Sequence, residues 1–253
     1  MSFQIRTSLT GGLGRCLNRN GLVLALAYVL VGAAWQVLLY SAVVTAVGSS
    51  TAPTGAAALP SIELPLAVSA GGAVVSLVLL QYLTIVTIRT FVGGHTRTIP
   101  AEFYTRNIPY VLVNSIIGSL ALGLIIFVGS ILFVVPGIIA YVAFIFTLLY
   151  IAAEDQSFIA AFRSSWNVTR GNWLRLFGLL VVVLVAITIV PGVLSALTSA
   201  VFAATLGTGI ATLVSGTLTL PFSLLLLGIL AEALTQLRTA QERSEPPTGV
   251  SAP

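Results

Sequence analysis

The side chains that could carry out catalysis or hold a metal are too few in this sequence to assemble an active site. His95 is the only histidine, Cys16 the only cysteine and Asp155 the only aspartate. A zinc site needs several His, Cys or carboxylate ligands, and an aspartyl protease needs a pair of aspartates. The sequence also lacks a G-x-S-x-G motif and a phosphate-binding glycine loop. We therefore expect no catalytic, cofactor-binding or metal site and predict that the protein is not an enzyme.

The carboxylates also avoid the middle of the long apolar segments. Glu154, Asp155 and Glu232 all lie near the ends of such segments. Ionised groups are costly at the centre of a bilayer, and those found there usually mark ion paths or proton relays. This placement argues against a transporter that couples to protons or sodium through buried carboxylates.

The most distinctive polar stretch begins at Asp155, which can cap a helix that starts just after it. Large apolar side chains then recur at helical spacing, and the tryptophans suit the headgroup zone of a membrane. We predict a short amphipathic helix on the cytoplasmic surface, with its apolar face buried at the headgroup boundary or against spans four and five. The alternative is an ordinary connection between spans. The apolar face comprises Phe158, Ile159, Phe162 and Trp166. The candidate interfacial residues are Asp155, Phe158, Phe162, Arg163, Trp166, Arg170, Asn172, Trp173 and Arg175.

The composition determines which environment must surround these residues. Hydrophobic residues make up 57% of the chain and charged residues only 7%, with a mean hydropathy of +1.07. A soluble domain usually carries about 25% charged residues. A chain with so few charges cannot cover its surface with ionised groups, so its outer surface must face lipid.

The apolar segments predict an all-α transmembrane bundle with six spans, each containing about 20 apolar residues or more. Residues 1–237 form this single domain, and the polar, proline-rich residues 238–253 are predicted to be a disordered cytoplasmic tail. The fifth apolar segment contains Pro191 and is either one kinked helix or a span followed by a re-entrant piece. The predicted spans are about 22–47, 66–88, 110–134, 138–153, 174–206 and 210–235.

The arginines predict the orientation of this bundle. All 11 basic residues are arginines, and the six spans place every one of them on the same side. Because cytoplasmic loops collect basic residues, we predict a multi-pass cell membrane protein with both termini in the cytoplasm. The net charge of +4 then reflects topology, and we expect no nucleic acid partner. Expected partners are the lipid bilayer, including anionic lipids, and a membrane protein or a second copy of the chain.

The polar stretch also carries a resemblance. Its pattern D-x-S-F-x-x-A-F-x-x-S-W-x-x-T-R-G-N-x-x-R-L-F begins at Asp155 and ends at Phe177. It resembles a family of uncharacterised prokaryotic membrane proteins, common in haloarchaea, that is similar to the membrane domain of some glycerophosphoryl diester phosphodiesterases. The resemblance implies six helices and no established biochemical role. The phosphodiesterase catalytic domain has no counterpart in this sequence, so its activity does not carry over.

Two functional hypotheses from different classes follow. The first is a non-enzymatic membrane protein that acts through helix packing and the cytoplasmic interfacial segment. The second is a small solute transporter or channel, whose path the small polar residues within the spans would line. Two stripes at four-residue spacing are suited either to close helix packing or to such a path. They are Ser115, Ser119 and Gly123, and Ser195, Ser199, Ala203 and Gly207.

Overall fold

The protein is an α-helical bundle in which six helices are long and apolar enough to cross a membrane. The computed structural model describes residues 4–48, 59–132 and 134–244. The all-α fold and the six spans predicted from the sequence are thereby confirmed. The helices are α1 (Ile5–Cys16), α2 (Arg19–Val47), α3 (Leu66–Val92), α4 (Glu102–Thr105), α5 (Ile108–Leu132), α6 (Val134–Phe144), α7 (Thr147–Glu154), α8 (Phe158–Thr169), α9 (Trp173–Leu206) and α10 (Thr208–Ser244).

The spans pack mainly as hairpins of consecutive helices. Helix α2 packs against α3, α5 against α6, and α9 against α10. Helix α10 also contacts α2 and α3, and α1 lies along α10. The backbone amide of Gln4 donates to the side-chain oxygen of Gln236 over 3.3 Å. The first and last described helices therefore meet at the same end of the bundle.

Two of the spans differ in continuity. Helix α9 runs without a break from Trp173 to Leu206 through Pro191, so residues 174–206 form one long helix rather than a span and a re-entrant piece. The fourth span is interrupted instead, because Ile145 and Phe146 form a turn between α6 and α7. A turn inside a span leaves backbone groups without helical partners, and these must be satisfied within the protein.

The final helix is longer than the sequence indicated. Helix α10 continues to Ser244, so residues 238–244, which were assigned to a disordered tail, are helical. The side chain of Arg238 lies over the ring of Tyr150, 4.6 Å from its centroid, and pairs with Glu154. These contacts stabilise the polar end of α10 against α7, although its residues are too polar to form a core. The rest of the predicted tail, 245–253, lies outside the described residues.

Helix α1 approaches α10 closely because glycine occupies the contact. A Cβ atom at Gly12 would lie 2.6 Å from the Cα atom of Ile229. A Cβ atom at Gly228 would lie 2.9 Å from the carbonyl oxygen of Gly12. Small residues let helix backbones approach in this way.

We predict that Gly12→Ala destabilises the protein by about 1–3 kcal/mol, because the added methyl group overpacks the crossing of α1 and α10. Gly14→Ala is the matched control, since a Cβ atom there would have no neighbour within 4 Å. That change is expected to be neutral or to stabilise α1 by up to about 1 kcal/mol. Thermal unfolding of both variants in mild detergent measures the difference. Equal midpoints would contradict the close packing of α1 on α10.

Candidate functional site

A buried ion-pair cluster joins four elements at the end of the bundle that carries the arginines, termed here the charged end. The side chain of Arg89, at the end of α3, is only 1% exposed. It donates to the carbonyls of Ala152 (2.8 Å) and Phe103 (3.0 Å) and to the carboxylate of Asp155 (2.7 Å). The second carboxylate oxygen of Asp155 lies 2.9 Å from Nε of Arg106 and accepts from Asn107 over 3.0 Å.

The role of Asp155 therefore differs from the predicted helix cap. Asp155 ends α7 in the left-handed conformation, with φ of 53°, and its carboxylate points into the arginine cluster. Ser157 is the N-cap of α8 instead, and its hydroxyl accepts from the amide of Ala160 over 3.4 Å. The prediction was wrong because a buried guanidinium requires a carboxylate more strongly than an exposed helix start does.

Two further ion pairs near this end involve Glu232 and Glu154. Arg15 in α1 pairs with Glu232 in α10 over 2.6 Å and also donates to the carbonyl of Phe91. Arg238 pairs with Glu154 at the end of α7. The charged end is therefore tied together across six helices, namely α1, α3, α4, α7, α10 and the start of α5.

Helix α8 turns a face of small and hydroxyl-bearing residues towards the interrupted fourth span. The hydroxyl of Ser165 donates to the carbonyl of Ala143 (2.9 Å) and accepts from the amide of Phe146 (3.2 Å). The hydroxyl of Thr169 donates to the same carbonyl over 3.1 Å. Ala161 packs alongside them and is fully buried. The inward face of α8 thus satisfies the backbone groups that the turn between α6 and α7 leaves free.

The sequence predicts that the large apolar residues of α8 are buried at the headgroup boundary or against spans four and five. Small residues form the inward face of α8, and burial of the large ones at the headgroup boundary stays a prediction. Ile159 is 54% exposed and Trp166 is 38% exposed, while Phe158 and Phe162 are half-buried. The amide of Phe158 donates to the side chain of Asn114 in α5 over 3.0 Å, which anchors the start of the helix. Phe158 packs partly against the core, whereas Ile159, Phe162 and Trp166 line the outward side. Small residues occupy the inward positions because these lie close to the backbone of the fourth span.

The outward face of α8 lines a shallow groove of about 480 Å³. The ring of Phe144 in α6 lies edge-on to Phe162, with centroids 4.9 Å apart, and 5.9 Å from Trp166. Trp166 in turn contacts Trp173 at 5.2 Å. Arg163 and Asn167 complete the lining of this groove, termed here the α8 groove.

The remaining candidate residues lie around the α8 groove or at the start of α9. Arg163, Arg170 and Arg175 are exposed and form no ion pair with any carboxylate in the described part of the chain. Asn172 is the N-cap of α9 but makes no side-chain cap hydrogen bond. The indole nitrogen of Trp173 is buried and has no hydrogen-bond partner among the described residues.

Sequence reasoning missed Arg89, Arg106 and Asn107, the partners that surround Asp155. A signal was present, because the carboxylates at span ends and all the arginines fall on the same predicted side. Opposite charges on the same side attract, so that placement favours ion pairs between span ends. It does not specify which arginine pairs with which carboxylate.

Cys16 and the potential metal ligands were the other candidates for a reactive site. Burial raises the pKa of the Cys16 thiol to about 12, and its sulfur lies 3.3 Å from the carbonyl of Leu224. A thiol with so high a pKa is almost never a thiolate at neutral pH, so it is a poor nucleophile. Within the described ranges, no three His, Cys, Asp or Glu side chains come together to hold a metal ion.

A second cavity, of about 310 Å³, lies between α9 and α10 at the end opposite the charged end. The hydroxyl oxygen of Ser215 in α10 lies 2.8 Å from that of Ser199 and 3.1 Å from that of Thr198. Ser195 also lines the cavity, and its carbonyl accepts from Ser215. The small-residue stripe of α9 therefore packs against α10 through hydroxyl contacts.

The chain belongs to the family described as a domain of unknown function, DUF7847, which it matches over residues 3–240. The match includes all the spans. Comparison with curated proteins and with solved structures found no match. An integral membrane protein with a helical bundle is consistent with this family assignment.

We predict that Asp155→Asn destabilises the protein by about 3 kcal/mol, because it leaves the buried guanidinium of Arg89 without a counter-charge. Thermal unfolding in mild detergent measures the loss. Glu102→Gln is the control, since Glu102 is exposed and forms no ion pair with a described arginine. If both variants unfold at the wild-type temperature, the cluster around Asp155 does not stabilise the charged end.

Proposed function

We propose that the protein is a non-enzymatic, multi-pass cell membrane protein that acts through an interaction surface formed by α8 and the charged end. One observation carries this proposal. Helix α8 uses its small residues for packing and leaves Ile159, Phe162, Trp166 and Arg163 facing outwards around a groove. This face combines exposed large apolar side chains with the exposed cation Arg163, as a surface at the membrane boundary requires.

The residue types on this surface support a location at the membrane boundary. Tryptophan is enriched at the headgroup level, and Trp166 and Trp173 contact each other beside the α8 groove. Each exposed arginine near anionic headgroups contributes about 1 kcal/mol of attraction. Arg163, Arg170 and Arg175 are free to contribute in this way because no described carboxylate neutralises them.

The proposed orientation places the charged end in the cytoplasm. Four arginines are held in ion pairs at this end, and the exposed ones belong to the connections and helix ends around it. The positive-inside rule then assigns both termini to the cytoplasm. The likeness of the Asp155–Phe177 motif to a haloarchaeal-type family and to the membrane domain of some phosphodiesterases belongs to this proposal, and it implies no catalytic role.

A small solute transporter is the second candidate, and the cavity between α9 and α10 is the observation that favours it. Its lining includes the hydroxyl groups of Ser199, Thr212 and Ser215, which suit a small neutral solute better than an ion. Proteoliposome flux of a neutral polyol that stops in a Ser215→Leu variant would favour this function over the first.

We predict that single cysteines on opposite ends of the bundle label from opposite compartments. In a Cys16→Ala background, an impermeant maleimide should label Ser61→Cys in intact cells. Thr96→Cys and Glu242→Cys should react only after permeabilisation, because they lie at the charged end. Labelling of all three from one side would contradict the six-span, N-in and C-in topology.

The location of α8 is tested with spin labels on two of its faces. Labels at Ile159 and Phe162 should be reached by lipid-soluble oxygen and shielded from a water-soluble nickel chelate, because the α8 groove faces the headgroup boundary. A label at Ala160 is the matched control, since Ala160 is exposed and does not line the groove. Equal access of the nickel chelate to all three positions would rule out an interfacial surface on α8.

A further inference from the structure

We infer that the α8 groove binds one anionic phospholipid, with the phosphate at Arg163 and one acyl chain along α6. This inference rests on the proposed function, because it names the partner of the same surface. The groove has apolar walls, formed by Phe144, Ile159 and Phe162, and a cationic rim at Arg163. A phospholipid has the matching arrangement of a charged headgroup joined to apolar chains.

The headgroup end is defined by the side chains of Arg163 and Asn167. Arg163 is exposed and makes no ion pair with a described carboxylate. A guanidinium can bind a phosphate through two parallel hydrogen bonds. Asn167 lies beside it in the same lining and adds a side-chain amide donor. Arg170 and Arg175 are exposed nearby along the chain and raise the local positive potential.

A mostly apolar groove for the acyl chain lies on the same face of α6 as the headgroup end. A second groove, of about 300 Å³, lies between α5, α6 and α9, and its lining includes Gly137, Tyr141 and Phe177. Gly137, Tyr141 and Phe144 are spaced by four and three residues and therefore share one face of α6. Since Phe144 lines the α8 groove, the two grooves follow the same face of this helix.

A lipid fits these observations better than a helix from another protein. The lower groove is bordered by Ile138 and Val181, which are 40% and 42% exposed and belong to the surface that faces lipid. The positive charge at the upper end favours an anionic headgroup over a zwitterionic one. A protein helix would need a carboxylate opposite Arg163, whereas a phospholipid provides its phosphate at the depth where the bilayer already holds it.

The experiment measures lipid contact through tryptophan fluorescence. The full chain carrying Trp35→Phe keeps Trp166 and Trp173 as its emitters. It is reconstituted in two preparations of phosphatidylcholine vesicles. One contains phosphatidylglycerol with brominated acyl chains, and the other contains the same fraction of brominated phosphatidylcholine. Brominated chains quench tryptophan fluorescence on contact. We expect stronger quenching by the brominated phosphatidylglycerol. Removing the Arg163 guanidinium should lower that preference about fivefold, the equivalent of one headgroup contact.

Three variants assign the preference to the α8 groove. Arg163→Gln should lose most of it, and Arg163→Lys should retain part of it because the charge remains. Arg97→Gln is the matched control, since Arg97 is also exposed at the charged end without a described ion pair, and it should behave as the parent protein. Far-UV circular dichroism and elution as a single species confirm that each variant is folded.

Two results would overturn the inference. Equal quenching by the two brominated lipids would show that the groove does not select an anionic headgroup. An equal loss in Arg163→Gln and Arg97→Gln would show a general charge effect rather than a site. Neither result affects the proposed interfacial surface if the spin labels on α8 remain shielded from the nickel chelate, so the two failures can be told apart.

Discussion

The buried guanidinium of Arg89 is the constraint on which the charged end of this protein depends. A charged group removed from water must find both a counter-charge and hydrogen-bond acceptors, or the fold loses several kcal/mol. Arg89 obtains them from three groups on two elements: the carbonyl of Ala152 and the carboxylate of Asp155 at the end of α7, and the carbonyl of Phe103 in α4. The ends of α3, α4 and α7 must therefore meet at one point.

The same carboxylate extends the cluster to the start of α5. Asp155 contacts both Arg106 and Asn107, so the one aspartate of the chain serves two arginines and an amide. Asn107 and Asp155 both have positive φ angles, of 47° and 53°. Asn and Asp tolerate this conformation better than other side chains with a Cβ atom. The chain turns between helices at these two residues, and both of them belong to the ion-pair cluster.

A second constraint explains why α8 faces as it does. The turn at Ile145 and Phe146 opens the fourth span, and Ser165 and Thr169 replace the hydrogen bonds that the helix loses there. Hydroxyl groups must approach the backbone closely, so the inward positions of α8 are small. The aromatic residues then occupy the outward face, where they create the α8 groove. The proposed interaction surface therefore results from the hydrogen bonds by which α8 satisfies the backbone of the interrupted span.

The sequence by itself determined the environment, the all-helical class, the six spans and the common side of the arginines, because hydropathy and charge placement are local properties of the chain. It also indicated that residues 155–175 hold a helix with aromatic residues on one face. Only the tertiary structure decided which face is buried, that Asp155 pairs with Arg89 rather than capping α8, and that α10 extends to Ser244. Each of these depends on a partner distant in the chain: an interrupted span, a buried cation or a pairing carboxylate. Helical periodicity shows which residues share a face of a helix, but it does not specify which group elsewhere in the chain packs against that face.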